Sequence, residues 1–350
     1  MGTLRRLALL AFLLLFSLAA NAAQRNVILF IGDGMGFEHL KAASLYLTGG
    51  EEGLSFQRYE HRGRVRTGSA DSPVTDSAAA ATALATGRKV NNGVLSKALP
   101  GDGSNLLTIL EEYQKLGYAT GLVTTTSVEH ATPAAFAAHA ASRRDYDSIL
   151  GEIYFSVKPE VLLGGGRKTA LTPPPEYTRV TDAKGLLSIV PARVAKLEGR
   201  FGEDFMPYES DGVGTFPHLS QMTGAALGVL EKNGKGLFLM VECGRIDHAA
   251  QANDLLRTIG ETIECSKAVS VAETWSKKRK ATLIVVTADH ETGGLEVMKG
   301  APKGRLPAVS WKTSAHTAAD VPIYATGVGS ELVESVMENT QIHYLLLPAN

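Results

Sequence analysis

The chain has 350 residues, of which 44% are hydrophobic and 20% charged, and its formal net charge is -1 at pH 7. This composition is that of an ordinary globular protein with a substantial hydrophobic core. A charge so close to zero gives no electrostatic reason to expect nucleic acid or an anionic membrane as a partner. Any anion that the protein binds must therefore be held by a local site.

Residues 1–22 have the pattern of a signal peptide. Arg5 and Arg6 precede an apolar run at residues 7–20, and small residues follow at Ala20 and Ala22. The run is short for a membrane span, which needs roughly 20 apolar residues, so we expect cleavage after Ala22. The sequence thus predicts an exported protein, periplasmic or secreted, without a membrane anchor in its mature form.

Apolar runs alternate with helical patterns along the rest of the chain. In chain order we predict a strand at 26–31, a helix at 105–116, a strand at 119–124, helices at 133–141 and 219–232, a strand at 237–241, a helix at 249–275, and strands at 282–287 and 322–326. Continuous hydrophobicity is typical of strands that are buried on both faces. The alternation predicts an α/β fold, a doubly wound α/β/α sandwich with a mostly parallel central sheet. Residues 157–210, with runs of glycine and of proline, are predicted to be a loop or excursion rather than core.

Acidic and histidine residues follow three of the predicted strands and precede a fourth. Each alone has a simple structural explanation, since Gly-Asp-Gly is common in tight turns and a single histidine is usually a satisfied polar residue. If they converge at the carboxyl edge of one sheet, the carboxylates repel each other unless a cation neutralises them. Mixed oxygen and imidazole ligands suit zinc, and all-oxygen sets suit magnesium. The residues are Asp33, Glu242, Asp247, His248, Asp289, His290 and His316.

Residues 75–87 predict a tightly packed helix, because a run of alanines ends in glycine, a common helix C-cap. Ser77 lies at its N-terminus, where free backbone N–H groups and the helix dipole favour an anion. Serine in this position is most often an N-cap. A nearby metal would lower the pKa of its hydroxyl and turn the cap into a nucleophile.

Residues 127–134, Ser-Val-Glu-His-Ala-Thr-Pro-Ala, are predicted to open a helix that carries Arg143. Arginine is the side chain best shaped to hold two phosphate oxygens at once. On its own, however, Arg143 beside Arg144 is equally typical of a solvated helix end.

Together these motifs resemble those of the alkaline phosphatase family, in the same order and over nearly the whole chain after residue 22. They are Gly-Asp-Gly-Met-Gly at 32–36, Thr-Asp-Ser-Ala-Ala at 75–79, His-Ala-Thr-Pro-Ala at 130–134, residues 242–248, Thr-Ala-Asp-His at 287–290 and His-Thr at 316–317. The resemblance implies that residues 23–350 form a single catalytic domain of a compact bacterial member. It also implies hydrolysis of small phosphate monoesters through a phosphoserine. Family members are often homodimers, a question that the sequence leaves open.

The resemblance further implies a role for each matching residue. Ser77 matches the nucleophile, and Arg143 matches the arginine that holds the substrate phosphate. The implied metal ligands are Asp33, Asp289 and His290 for one zinc ion, Asp33, Thr132 and Glu242 for magnesium, and Asp247 and His316 for a second zinc ion. His130 and His248 match two positions near the magnesium ligands, where other members vary.

Gln251 departs from the family pattern. The second zinc site should have a histidine four residues after Asp247, one helical turn further and on the same face, but Gln251 stands there. A glutamine carbonyl is a weaker, neutral zinc ligand, and His248 points about 100° around the helix from Asp247. We therefore expect weaker metal retention, slower turnover or a changed metal preference.

The sequence also allows three other functions to be considered. A sulfatase of the same superfamily needs a Cys/Ser-x-Pro-x-Arg context, whereas alanines follow Ser77. A phosphodiesterase needs room for a second ester group where Arg143 would close on a phosphate oxygen. Because of Gln251, a catalytically impaired member that binds phosphate or metal without turnover is a third possibility.

The pairing of the two cysteines, Cys243 and Cys265, is also open. A disulfide could form in an oxidising compartment. Two buried free thiols explain the sequence equally well.

Overall fold

The computed structural model describes residues 25–166, 171–279 and 281–348. The predicted signal peptide at 1–22 lies outside these residues. Within the described ranges, no helix combines the length and the apolar composition that a membrane crossing requires.

The architecture is a large sheet covered by helices on both faces, as the sequence predicted. The strands are β1 (Arg25–Gly32), β2 (His61–Arg66), β3 (Ala119–Ser127), β4 (Val161–Gly165), β5 (Tyr177–Val180), β6 (Lys196–Phe201), β7 (Gly236–Cys243), β8 (Thr282–Ala288), β9 (Glu291–Thr292), β10 (Glu296–Lys299), β11 (Ala308–Ser310), β12 (His316–Thr317), β13 (Val321–Gly327) and β14 (Val336–Glu338). Ten of them form the central sheet in the order β14-β2-β13-β8-β1-β7-β3-β4-β6-β5. Only β13 runs antiparallel to its neighbours in this sheet. The prediction of a mostly parallel α/β fold is confirmed.

The helices form two groups, one on each face of the sheet. They are α1 (Phe37–Thr48), α2 (Ser77–Thr86), α3 (Ile109–Lys115), α4 (Ala131–Ala137), α5 (Tyr146–Glu152), α6 (Ala183–Ser188), α7 (Leu219–Leu230), α8 (Arg245–Gln251), α9 (Leu255–Ser276) and α10 (Asn339–Leu346). Helix α9 packs against α1 and α7, whereas α2 packs against α4 and α10.

The central strands place the polar residues at one edge. Strands β7 and β8 are buried along their whole length, as is β1 after its first residue, so their side chains pack on both faces of the sheet. Gly32 lies beside Cys243 on one side and Ala288 on the other in parallel register. Because the three strands end level with one another, the residues at or just after their ends meet at the same edge.

The predicted strands are confirmed, but several helix predictions are wrong in their bounds. The predicted helix at 249–275 is two helices, since α8 ends at Gln251 and α9 begins at Leu255. Asn253 between them has φ +52°, and the Asp254 carboxylate accepts a hydrogen bond from the Arg257 amide at 3.1 Å, which caps α9. Helix α3 begins at Ile109 rather than 105, and α4 ends at Ala137 rather than 141.

The prediction of a loop at 157–210 is also wrong. This segment supplies β4, β5 and β6 of the central sheet, together with α6. The pattern of β6 was hidden by Glu198, a buried carboxylate in the middle of the strand. Glu198 accepts a hydrogen bond from the Tyr154 hydroxyl and pairs with Arg200, both at 2.9 Å, so its burial is compensated.

The two cysteines form a disulfide. Cys243 at the end of β7 is bonded to Cys265 in α9, with their Cα atoms 5.7 Å apart. Of the two alternatives that the sequence left open, the structure therefore shows the disulfide, which ties the sheet to a helix that covers it.

Candidate active site

The first cluster at the sheet edge contains Asp33, Asp289 and His290, all buried. His290 Nε2 lies 3.4 Å from Asp33 Oδ1 and 3.3 Å from Asp289 Oδ2. The Gly34 amide donates to Asp289 Oδ1 at 3.1 Å from a turn with φ +73°. A Cβ on Gly34 would lie 2.9 Å from the Cα of Asp247, so only glycine lets this turn approach α8 so closely.

The second cluster shares Asp33 and adds His130 and Glu242. Glu242 Oε2 accepts hydrogen bonds from the hydroxyls of Thr124 and Thr126. Burial raises the pKa of Glu242 to about 7. Burial and the neighbouring carboxylates raise the pKa of Asp33 well above its ordinary value.

Buried acceptors without protein partners mark both clusters. Among the described residues, no hydrogen-bond donor within the usual distance and angle limits reaches either oxygen of Asp33, Asp289 Oδ2 or Glu242 Oε1. Leaving such groups unpaired in the interior is costly, and bound cations commonly satisfy them. The carboxylates with imidazole fit zinc, and the carboxylates with the Thr132 hydroxyl fit magnesium.

Ser77 is the first residue of α2, so its side chain lies at the N-terminus of a ten-residue helix. The N-cap is Asp76, whose Oδ1 accepts the Ala79 amide at 3.0 Å. The common interpretation of Ser77 as the N-cap is therefore wrong. Its hydroxyl faces the first cluster instead, with Oγ 3.4 Å from His290 Nε2. Burial lowers the pKa of His290 to about 3, which keeps the ring neutral.

Arg143 lies in a turn beyond α4, and the prediction of a helix that carries it is wrong. Its amide donates to the Gly93 carbonyl at 2.8 Å, and its Nη1 donates to Asp76 Oδ2 at 2.9 Å. Burial opposes ionisation of Asp76, but hydrogen bonds from Ala79 and the Arg143 charge outweigh it and lower the Asp76 pKa. The same aspartate thus caps α2 and binds Arg143 at the N-terminus that carries Ser77.

A third cluster lies around Asp247 in α8. Asp247 Oδ1 accepts the Thr292 hydroxyl at 2.5 Å, and Oδ2 accepts Gln251 Nε2 at 2.8 Å. The His316 ring stacks on that of His290 with 3.6 Å between centroids, and its Nε2 lies 3.5 Å from Asp247 Oδ1. The sequence-predicted metal ligands are therefore brought together at one edge of the sheet.

A sequence-family comparison identifies the family to which this arrangement belongs. The model of the alkaline phosphatase family matches residues 24–177 and 172–305. The chain belongs to the alkaline phosphatase family. The resemblance that its motifs indicated is confirmed.

Individual relatives support this membership. Alkaline phosphatase 3 of Bacillus subtilis is 36% identical over 78% of this chain, but the match covers only 62% of the relative's own length. The streptomycin-6-phosphate phosphatase of Streptomyces griseus is 31% identical, with 92% of this chain and 89% of the relative aligned. The alkaline phosphatase of Escherichia coli K12 is 31% identical over 93% of this chain and 86% of its own.

Solved structures of the family share the fold. The alkaline phosphatase of the Antarctic bacterium TAB5 superposes with a TM-score of 0.81 at 30% identity, covering 92% of this chain and 96% of that one. The cold-active enzyme of a Shewanella species gives a TM-score of 0.83 at 28% identity, covering 91% and 98%.

The roles of several residues in or near the family motifs were missed from the sequence. Phe205 packs on His248 with 4.6 Å between ring centroids, and Arg245 Nη1 lies 2.9 Å from His248 Nδ1. Burial and the Arg245 charge lower the His248 pKa to about 4. Phe205 could not be predicted because it lies in the segment interpreted as a loop. Thr292 carried a weak signal, since it lies two residues after His290.

Proposed function

We infer that this protein hydrolyses phosphate monoesters with Ser77 as the nucleophile. The observation that carries this proposal is the position of the Ser77 hydroxyl at the N-terminus of α2, 3.4 Å from His290 Nε2. Buried carboxylates lie in the cluster that it faces, and Asp76, the N-cap of the same helix, holds Arg143. The family membership supports the same activity, because relatives are named as phosphatases.

Divalent cations belong to this proposal, and the described residues offer ligands for them. Asp33, Asp289 and His290 would hold one ion, and Asp33, Glu242 and Thr132 would hold another. A bound ion supplies charge stabilisation and lowers the pKa of a coordinated hydroxyl or water. A variant of the TAB5 enzyme in which one histidine is replaced by aspartate has Mg bound in its M3 site, which supports magnesium as one of the ions.

The protein's own groups orient the phosphate for attack. The backbone N–H groups at the start of α2 favour an anion beside Ser77. Arg143 uses one N–H on Asp76 and a second on His130 Nε2, and a guanidinium has five, so donors remain for two phosphate oxygens. Its anchored position would place those oxygens above the serine hydroxyl. This geometry supports transfer of a terminal phosphoryl group.

The chemistry consists of two displacements at phosphorus. In the first, a bond forms between Ser77 Oγ and phosphorus, the ester P–O bond breaks, and the serine proton ends on the leaving oxygen. In the second, a water oxygen attacks the phosphoserine and the Oγ–P bond breaks. The serine hydroxyl is restored, and inorganic phosphate is released.

Removal of the Ser77 hydroxyl tests the proposal. Purified protein supplied with zinc and magnesium should release p-nitrophenol from p-nitrophenyl phosphate, and Ser77→Ala should lower kcat at least about a thousandfold. Ser104→Ala, which removes an exposed loop hydroxyl, is the matched control. A Ser77→Ala variant that keeps a tenth of the activity would refute this role.

A second candidate, slow turnover through a phosphoserine that accumulates, is favoured by the hydrogen bond from Gln251 to Asp247. It predicts a burst of one p-nitrophenol per active site followed by a slow steady rate. A linear time course from the first turnover would contradict it.

We also propose that the protein works outside the cytoplasm. The pattern at residues 1–22 supports export, and the disulfide between Cys243 and Cys265 is of a kind that persists in oxidising compartments. Mass spectrometry of the exported chain should find Ala23 at its N-terminus. A chain that retains residues 1–22 would contradict cleavage at this point.

A further inference from the structure

The Gln251 side chain bridges the two predicted ligands of the second zinc site. Its Nε2 lies 2.8 Å from Asp247 Oδ2 and 3.3 Å from His316 Nε2. Gln251 itself is exposed, whereas only 4% of Asp247 is accessible to solvent. The amide therefore lies between solvent and the pair formed by Asp247 and His316.

The surrounding hydrogen bonds determine which way the protons point. His316 Nδ1 lies 3.0 Å from the Thr75 carbonyl, which can only accept, so Nδ1 carries the proton of the neutral ring. Nε2 is then an acceptor with its lone pair directed at Gln251. An amide NH2 group has two hydrogens, which matches the two acceptors, Asp247 Oδ2 and His316 Nε2.

The opposite amide orientation is unfavourable. It would place the Gln251 carbonyl oxygen against a carboxylate oxygen and an imidazole lone pair, so that three acceptors would face one another. Only a cation between them would make that orientation stable. The NH2 group and a metal ion are therefore alternatives for the same space.

This closure contrasts with the Asp33 side of the site. There, among the described residues, both Asp33 oxygens, Asp289 Oδ2 and Glu242 Oε1 have no donor. Around Asp247, in contrast, Thr292 supplies a donor to Oδ1 and Gln251 supplies one to Oδ2. The Asp33 clusters need a cation for their acceptors. Asp247 and His316, together with His290, also lie close enough to hold an ion, but the Asp247 oxygens have protein donors in its place.

We propose that the Gln251 amide replaces the second zinc ion, so that the protein holds its resident cations only on the Asp33 side. The NH2 group holds Asp247 and His316 together as a bound ion otherwise would. A metal ion can enter this pair only if the exposed Gln251 side chain swings away. The inference rests on the proposed function for the kind of cation, but the number of bound ions is measured without substrate.

Metal counting tests the proposal directly. Protein equilibrated with excess zinc and magnesium and then freed of unbound ions should contain two ions per chain by elemental analysis. Gln251→His, which supplies an imidazole on the same helical face as Asp247, should contain three. Ala252→His is the matched control, because it adds an exposed imidazole one position further round the helix, and it should contain two. Three ions in the wild type, or two in Gln251→His, would overturn the proposal.

An isosteric variant tests the hydrogen bonds themselves. Gln251→Glu keeps the shape but replaces the NH2 group by a carboxylate oxygen, so two carboxylates meet when no ion is present. In a chelator, its Tm should fall below that of the wild type, and zinc should raise its Tm by more than it raises that of the wild type. Equal melting temperatures and equal zinc shifts would overturn the amide bridge, even if the protein proves to be an active phosphatase. Loss of phosphatase activity alone bears only on the proposed function.

Discussion

The Asp33 and Asp247 sides of the site use the same residue types at the same edge of one sheet, yet their hydrogen bonding differs. Asp33 is fully buried and, among the described residues, finds no donor for either oxygen. Asp247 is nearly as buried, but Thr292 and Gln251 each donate to it. Residue type and burial alone therefore do not identify a metal ligand. The hydrogen-bond donors that reach its oxygens must be considered as well.

The energetic difference between the two sides follows from the cost of unpaired groups. A buried acceptor left without a partner costs about 1–3 kcal/mol, and more if it is charged. Several such acceptors share the Asp33 side, so a bound cation should contribute strongly to folding there. Both Asp247 oxygens already have protein donors, so under the proposal the stability of that side should depend on side-chain hydrogen bonds.

The largest expected effect is that of Asp33→Asn. Asp33 belongs to both candidate ion groups on its side, so the loss of its charge should release metal from both. We expect kcat to fall at least about a thousandfold, the equivalent of about 4 kcal/mol, with fewer bound ions by elemental analysis. Full metal content in this variant would remove the distinction between the two sides.

The counterpart substitution is Asp247→Asn. The asparagine carbonyl can still accept from Gln251, whose NH2 group keeps facing His316, and the Thr292 hydroxyl can accept from the new amide. We therefore expect the number of bound ions to stay at the wild-type value. A loss of one ion per chain would show that Asp247 is a resident metal ligand after all.

A smaller effect is expected from Thr292→Val. It removes the hydroxyl that donates to Asp247 Oδ1 at 2.5 Å and leaves a buried carboxylate oxygen unpaired. The free energy of unfolding should fall by about 1–3 kcal/mol in urea titrations, with the number of bound ions unchanged. Ser314→Ala, at an exposed position nearby, should change it by less than about 0.5 kcal/mol. Equal losses in both variants would mean that the hydroxyl does not stabilise Asp247.

The smallest effect concerns His139, where protein groups alone neutralise a buried charge. Burial opposes protonation, but hydrogen bonds to Glu111, Glu152 and the Leu106 carbonyl outweigh it and raise the His139 pKa to about 9. Because the folded-state pKa is raised above the ordinary value of about 6.5, this stabilisation is complete below pH 6.5 and is lost as the pH rises to about 9.

His139→Gln tests the contribution of the His139 charge to stability. The variant should lose about 1 kcal/mol of unfolding free energy at pH 6, and the difference from the wild type should shrink towards pH 9.5. Urea titrations across this range measure both quantities. A constant difference at every pH would mean that the charge of His139 contributes nothing.

Much of the fold could be predicted because the central strands are continuous apolar runs. Residues 26–31 and 282–287 need no polar partner along their length, so local pattern and tertiary role agree. The prediction was wrong where a contact between residues distant in sequence stabilises a local arrangement that the local pattern does not favour. Glu198 interrupts a strand, and its burial is tolerated because Tyr154, Arg179 and Arg200 donate to it. Arg143 is held by Asp76, which is distant in sequence.

The candidate site shows the same division. The motifs identified Asp33, Asp289 and His290 as a group, since strand ends of a parallel sheet meet at one edge. They could not show that Asp76 rather than Ser77 caps α2, because the choice depends on which side chain reaches the Ala79 amide.

The sequence by itself determined the family, the buried strands and the residue types at the site, because these follow from local hydrophobicity and from motifs with fixed spacing. It also singled out Gln251 as a predicted departure from the family pattern. Only the tertiary structure shows what the Gln251 amide contacts, since Asp247 and His316 meet it from separate segments and Thr75 orients the His316 ring. Hydrogen bonds are directional and short-ranged, so the direction of the Gln251 NH2 group is a property of the folded site.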